Sequence, residues 1–169
     1  MNRKEKIKTY ALILLSVILV ITFSLHFQKI NEEKRQYEAY LNEFYAHLDS
    51  TVYSVQYLLS NREEMDITGN LMNIEHNLET TNLLLRMGDR TVDSNITSHP
   101  RFFVGRIMPN PLNDDGRLTN EQRSELEKVQ KGIEYMKEGL YSEQTGQENK
   151  DLSVKEFNEI IKEGAKIGE

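Results

Sequence analysis

The sequence predicts an all-α protein in which a single N-terminal transmembrane helix is continuous with a small extracytoplasmic four-helix bundle. Three observations predict this fold class. A run without a formal charge occupies residues 9–28. Apolar residues recur at helical spacing through most of the remaining chain. The three prolines all fall between residues 100 and 111, which places one long irregular connection in the middle of the bundle.

The uncharged run of residues 9–28 has the length of a membrane span. At about 1.5 Å per residue it covers about 30 Å, the thickness of the hydrocarbon core of a bilayer. Its large apolar side chains together favour insertion by about 4–7 kcal/mol. The lipid bilayer is therefore the first predicted partner. The span is marked along its length by Tyr10, Leu14, Ile18, Ile21, Leu25 and Phe27.

Two other interpretations of this run are a cleaved signal peptide and a buried helix of a soluble protein. A signal peptide has an apolar region of about 7–15 residues followed by a site of small residues. The run here is longer, and its nearest pair of small residues, Thr22 and Ser24, makes a poor cleavage site. An uncleaved signal-anchor is the preferred interpretation.

Basic residues on the two sides of the span predict its orientation. Arg and Lys are commoner on the cytoplasmic side of a membrane helix. Four precede the span and three follow it: Arg3, Lys4, Lys6 and Lys8, then Lys29, Lys34 and Arg35. The bias is small, and it favours a cytoplasmic N-terminus. No second apolar run of span length follows in the sequence, so a single-pass protein of the cell membrane is predicted. Residues 1–8 would be cytoplasmic, and residues 29–169 would form the extracytoplasmic domain.

Two long helices are predicted after the span, at about 29–61 and 69–87. The first has an apolar seam at Tyr37, Leu41, Phe44, Leu48, Val52, Val55 and Leu59. The second has a heptad seam, the pattern of a coiled coil, at Ile67, Leu71, Ile74, Leu78, Thr81 and Leu85. Asp66 or Thr68 would cap its start, and Gly88 would end it in a left-handed conformation. A short turn around residues 63–66 would make these two helices antiparallel.

The second half of the extracytoplasmic domain begins with an irregular stretch at about 89–118. Two further helices follow it, at about 120–140 and 153–164. Thr119 with Gln122, and Ser153 with Glu156, have the spacing of capping boxes. The apolar seam of the third helix is Leu126, Val129, Ile133, Met136 and Leu140, and that of the fourth is Val154, Phe157, Ile160 and Ile161.

Composition and motifs exclude several classes of chemistry. The chain has no cysteine, which removes disulfides, thiol catalysis and cysteine zinc sites. The net charge of −6 argues against a nucleic-acid partner. His26, His47, His76 and His99 do not form a ligand set with neighbouring carboxylates, and residues 111–122 lack the first ligand and the final Glu of a calcium loop. No catalytic motif is present, so no catalytic, cofactor-binding or metal-binding residue is predicted.

Two groups of residues are candidates for partner binding. One is the tyrosine-rich side of the first bundle helix, represented by Tyr40 and Tyr45. The other is a cluster in the irregular stretch, consisting of Arg101, Phe102, Phe103, Arg106, Ile107 and Met108. Aromatic residues, Met and Arg are enriched at protein interfaces. The alternative interpretation is that the tyrosines pack in the bundle or at its rim, and that the cluster plugs one end of the bundle.

The leading functional hypothesis is therefore a membrane-anchored binding or regulatory module. Its partner would be another membrane or cell-surface protein, or a second copy through self-association. The second hypothesis is a ligand-sensing bundle coupled to a partner membrane protein, which rests on analogy of fold. The third is a cell-surface enzyme, for which no pair of carboxylates is defined by spacing.

Overall fold

A computed structural model of the protein describes residues 3–60, 66–97, 103, 105 and 116–169. It consists of two compact units, Met1–Tyr37 and Glu38–Glu169, and the division falls within the first helix. The described residues form four helices and one short antiparallel hairpin, which confirms the all-α class. The helices are α1 (Arg3–Leu59), α2 (Ile67–Thr91), α3 (Asn120–Leu140) and α4 (Val154–Ile167), and the hairpin strands are β1 (Tyr141–Ser142) and β2 (Gln147–Glu148).

The helices of the second unit begin at caps that the sequence predicts. The Asp66 carboxylate accepts a hydrogen bond from the Gly69 amide at 2.8 Å and caps α2. Thr119 and Gln122 form a reciprocal capping box at the start of α3, and Ser153 and Glu156 form one at the start of α4. Each cap binds backbone N–H groups that the first turn of a helix otherwise leaves without partners.

Hydrogen bonds between α1 and α2 show that these helices are antiparallel, as predicted. Asn77 binds both His47 (2.8 Å) and Ser50 (3.1 Å), whereas Asn73 binds Ser54 at 3.2 Å. Residue numbers along α2 therefore decrease as those along the adjacent α1 increase. The turn predicted around residues 63–66 lies outside the described residues except for Asp66.

Contacts of α3 fix the rest of the topology. Lys137 pairs with Asp49, and Arg123 donates to the carbonyl of Leu59, so α3 is also antiparallel to α1. Consequently α2 and α3 point the same way, and the end of α2 and the start of α3 are joined by a crossover connection. A crossover of this kind accounts for the unusual length of the connection between residues 92 and 119.

The core of the second unit follows the predicted seams closely. Every predicted seam residue of α3 is buried, and on α1 the seam runs from Leu41 to Val55 as predicted, with Leu58 rather than Leu59 at its end. Three rings, those of Tyr40, Phe44 and Phe157, pack together with centroids 5.2–6.1 Å apart. They join α1 to α4.

Two predicted helix ends were wrong, and both errors involve glycine. Helix α2 continues through Gly88 to Thr91, and α4 continues through Gly164 to Ile167. Both glycines are buried and lie where another element approaches the helix. A Cβ on Gly88 would lie 3.0 Å from Ile96, and one on Gly164 would lie 2.8 Å from the carbonyl oxygen of Gly132. These glycines allow close packing instead of ending a helix.

Candidate functional site

The apolar run of α1 is exposed along its whole length. Leu19 is 72 % exposed and Phe23 is 70 % exposed, and none of the most apolar window of the helix is buried. Exposed apolar side chains of this number are unfavourable in water, at about 25 cal/mol per Å². The residues predicted to mark the span are all exposed: Tyr10, Leu14, Ile18, Ile21, Leu25 and Phe27.

Hydroxyl groups within and beside this run are bound to the backbone of the helix itself. Thr9 donates to the carbonyl of Glu5 at 2.9 Å, Ser16 to that of Leu12 at 2.9 Å, and Thr22 to that of Ile18 at 2.8 Å. The sequence predicts such bonds, which lower the cost of placing a hydroxyl in an apolar medium. Within the described residues, α1 is the one helix whose length and composition suit a membrane span.

Tyr40, a candidate for partner binding, lies inside the bundle. Its side chain is only 5 % exposed, and its ring packs against Phe44 and Phe157. A Cβ on Gly88 would lie 3.2 Å from this ring. A partner would therefore reach little of Tyr40.

Tyr45, the second tyrosine candidate, is half-buried beside a charged pair that joins α1 to α3. The Lys137 ammonium lies 2.5 Å from the Asp49 carboxylate. This hydrogen bond raises the pKa of Lys137, although partial burial acts against it. Burial raises the pKa of Tyr45, and the nearby Lys137 partly offsets that effect. Both groups therefore keep their ordinary charge states at neutral pH.

Phe103, from the loop cluster, is buried where α3 and α4 cross. Its side chain is 2 % exposed and its φ is 63°, an uncommon value for an aromatic residue. The ring lies over Gly132 and Gly168, where any side chain would collide with it. The next described residue, Gly105, donates its amide to Glu75 on α2 at 3.0 Å. The other members of the cluster lie outside the described residues: Arg101, Phe102, Arg106, Ile107 and Met108.

The structure reveals an exposed apolar surface that the sequence reasoning missed. We call this surface the outer face of α2 and define it by the following exposed residues: Met72, His76, Glu79, Leu83, Arg86, Met87 and Arg90. It lies opposite the heptad seam of that helix. The spacing of Met72, Leu83 and Met87 was a signal that could have found it, since positions four, seven or eleven residues apart share a helix face.

A layer of polar side chains lies between α1 and α2. His47, Ser50, Ser54 and Asn73 are bound by hydrogen bonds that cross the interface, with Asn77 at their centre. The polar groups of this layer therefore have hydrogen-bond partners within the layer. In the part of the chain that the structure describes, no three His, Asp or Glu side chains come close enough to hold a metal ion.

Comparisons with known proteins found no match: no protein family, no curated protein and no solved structure resembles this chain.

Proposed function

We propose that the chain is a single-pass membrane protein whose helical bundle binds another protein outside the membrane. One observation carries the proposal, namely that the apolar run of α1 is exposed. A buried core helix would be covered by its own protein, whereas among the described residues the side chains around Leu19 are exposed. A bilayer would cover them.

The orientation follows from the basic residues that flank the run. Because Lys and Arg favour the cytoplasmic side, residues 1–8 lie in the cytoplasm and the bundle lies outside. The partner that we propose for the bundle is therefore a protein in or on the membrane.

Exposed apolar side chains on the second unit support a binding role. Tyr53 on α1 and Met72 on α2 are each about two-thirds exposed or more, at 71 % and 68 %. Single exposed apolar residues are ordinary, but Leu83 and Met87 lie one turn apart on the outer face of α2, and neighbouring apolar side chains of this kind favour an interaction surface. The outer face of α2 is the surface that the structure favours.

Membrane anchoring is tested with paired arginine substitutions. Replacing Leu15 and Leu19 by Arg raises the cost of insertion by about 6 kcal/mol, comparable to the whole gain from the run. We expect the double variant to leave the membrane fraction or to be degraded, whereas the wild type resists alkaline carbonate. The matched control replaces Met72 and Met87, exposed residues of α2, by Arg and stays in the membrane.

Two further measurements separate an anchor from a cleaved signal. An anchor leaves the full mass of 19.8 kDa, whereas cleavage near residue 25 removes the first residues. Because the chain has no cysteine, single cysteines report topology cleanly. A membrane-impermeant maleimide should label Glu143→Cys on intact cells and leave Asn2→Cys unlabelled. Release of a shortened chain into the medium would overturn the proposal.

A further inference from the structure

The first two turns of α1 carry a dense group of positive charges beside the apolar run. We call residues 3–8 the basic segment. It contains four basic residues and one acidic residue, all of them exposed: Arg3, Lys4, Glu5, Lys6 and Lys8. Because an α-helix turns by about 100° per residue, the four basic side chains project from more than one side of the helix. The basic segment therefore presents positive charge to surroundings on several sides.

The other end of the apolar run has a much smaller excess of positive charge. Lys29 pairs with Glu33, with 3.6 Å between the charged atoms. Arg35 pairs with Glu32, also at 3.6 Å. Residues 29–35 have a net charge of +1, whereas the basic segment has a net charge of +3. The two ends of the run therefore differ in net charge by more than their numbers of Lys and Arg suggest.

The basic segment lies at the depth of the lipid headgroups when the apolar run spans a bilayer. Its residues lie about 1.5–9 Å along the helix from Thr9, where the run begins. The headgroup layer on each side of the hydrocarbon core is about 5–7 Å thick. Long Lys and Arg side chains keep their charged ends in this polar layer. The charges of the basic segment therefore reach the lipid phosphate groups.

We propose that the basic segment binds anionic phospholipids of the cytoplasmic leaflet and enriches them around this end of α1. The inference rests on the proposed function, because it requires a membrane-spanning α1 whose N-terminal end is cytoplasmic. Each Lys or Arg close to an anionic lipid surface adds to the electrostatic attraction, which extends over about one Debye length. Zwitterionic lipids have no net charge, so the same segment does not enrich them.

The experiment uses tryptophan fluorescence in the full chain to measure which lipids contact each end of the run. The chain has no tryptophan, so a single introduced residue gives the whole signal. Tyr10→Trp reports on the end beside the basic segment, and Phe27→Trp is the matched control at the other end. Both replaced rings are exposed, and each lies one residue inside the run. Each variant is reconstituted in vesicles of phosphatidylcholine with a minor fraction of phosphatidylglycerol, at low ionic strength.

Bromine on the upper part of the lipid acyl chain quenches a neighbouring tryptophan. Quenching by brominated phosphatidylglycerol is divided by quenching by brominated phosphatidylcholine at the same content of brominated lipid. This quenching ratio is one when the lipids around the reporter are randomly mixed. We expect a ratio of about two or more at residue 10 and a smaller ratio at residue 27. Equal ratios at the two ends would overturn the proposal.

Removing charge from the basic segment tests its role directly. A triple glutamine variant in the Tyr10→Trp chain leaves Arg3 and Glu5 with balanced charges, so the ratio should fall to about one: Lys4→Gln, Lys6→Gln and Lys8→Gln. The matched control removes as many charges at the other end and should leave the ratio at residue 10 unchanged: Lys29→Gln, Lys34→Gln and Arg35→Gln. A ratio that ignores the first triple variant, or falls equally with both, would contradict the proposal.

Salt and headgroup type test whether charge is the cause of the enrichment. Raising the ionic strength from about 0.1 M to about 1 M shortens the Debye length from about 10 Å to about 3 Å, so the excess ratio at residue 10 should be largely lost. Phosphatidylserine has the same net charge as phosphatidylglycerol and should give a similar ratio. Enrichment that survives high salt, or that occurs with only one of these lipids, would refute binding by charge.

Flotation of the same vesicles separates the two possible failures. A chain that does not float with lipid contradicts the proposed function. A chain that floats with lipid but shows no excess of phosphatidylglycerol at residue 10 contradicts only lipid binding by the basic segment.

Discussion

Asn77 on α2 accepts a hydrogen bond from the ring of His47 on α1, with 2.8 Å between Oδ1 and Nδ1. Because Oδ1 has no proton, Nδ1 of His47 must carry one. The amide nitrogen of Asn77 donates to Ser50 on α1 and to the carbonyl of Asn73 on its own helix. This single side chain therefore fixes the register between two helices whose other contacts are largely apolar.

Replacing Asn77 by Ala should destabilise the bundle by about 2 kcal/mol. The change removes several hydrogen bonds of a buried group and leaves His47 and Ser50 without this partner. The matched control is Asn73→Ala, because Asn73 is exposed and makes one side-chain bond across the interface, to Ser54. We expect the control to cost less than about 0.5 kcal/mol. Urea denaturation followed by circular dichroism measures both losses, and equal losses would show that Asn77 contributes no more to stability than Asn73 does.

The crossing of α3 and α4 depends on glycine, and alanine there should destabilise the bundle. A Cβ on Gly132 would lie 2.6 Å from the carbonyl oxygen of Gly164, which belongs to a rigid helix backbone. We expect Gly132→Ala to cost about 1–3 kcal/mol, despite the better helix propensity of alanine.

Gly139→Ala is the comparison for this substitution. The three atoms nearest to its Cβ would all belong to the side chain of Ile160, which is half-buried and moves more easily than a helix backbone. Its effect should therefore be smaller than that of Gly132→Ala. Thermal melting of the two variants checks the order, and a larger loss at Gly139 would contradict this description of the crossing.

Local patterns were sufficient to predict most of the fold. The capping boxes at Thr119 and Ser153 each form between two residues three positions apart, so a short stretch of sequence is enough to predict them. The apolar seams depend on helical spacing, which is also local. The predicted role of Gly88 was wrong because the sequence does not distinguish a glycine that ends a helix from a glycine that leaves space for a packed side chain, here that of Ile96.

The buried polar layer and the outer face of α2 were harder to predict. Asn77 differs from exposed asparagines only through its partners on α1, which are 27 and 30 residues away. Leu83 is adjacent in sequence to buried residues, and only the packing of α2 decides which side faces solvent. The buried polar layer therefore depends on contacts distant in sequence, whereas for the outer face of α2 the helical spacing of Met72, Leu83 and Met87 is a local signal.

Phe103 should contribute strongly to stability, since it attaches the crossover to α3 and α4. Replacing this buried ring by Ala should cost about 3 kcal/mol, which combines lost apolar burial with the cavity that remains. The matched control is Tyr53→Ala, which removes an aromatic ring that is 71 % exposed and should cost less than about 0.5 kcal/mol. Denaturant midpoints measure both losses. A Phe103→Ala variant as stable as the wild type would show that its ring does not hold the crossover to the bundle.

Glu75 should make the protein less stable at neutral pH than at mildly acidic pH. Its carboxylate accepts the Gly105 amide, but burial raises its pKa above the ordinary value, and Glu79 nearby acts in the same direction. The folded state therefore holds a proton on Glu75 more tightly than the unfolded state does. Ionisation of Glu75 therefore lowers the free energy of unfolding as the pH rises from the unfolded pKa through the folded pKa. This loss of stability vanishes below about pH 4, where the group is largely protonated in both states.

The variant Glu75→Gln separates this charge effect from the hydrogen bond, because the amide oxygen of Gln can still accept from Gly105. We expect Glu75→Gln to melt at a higher temperature than the wild type at pH 7, with the difference closing at pH 4. Glu127→Gln, on an exposed position of α3, is the matched control and should show a smaller difference at pH 7. If Glu75→Gln instead melted lower at pH 7, the ionised carboxylate would be stabilising, and burial would not be the dominant influence on Glu75.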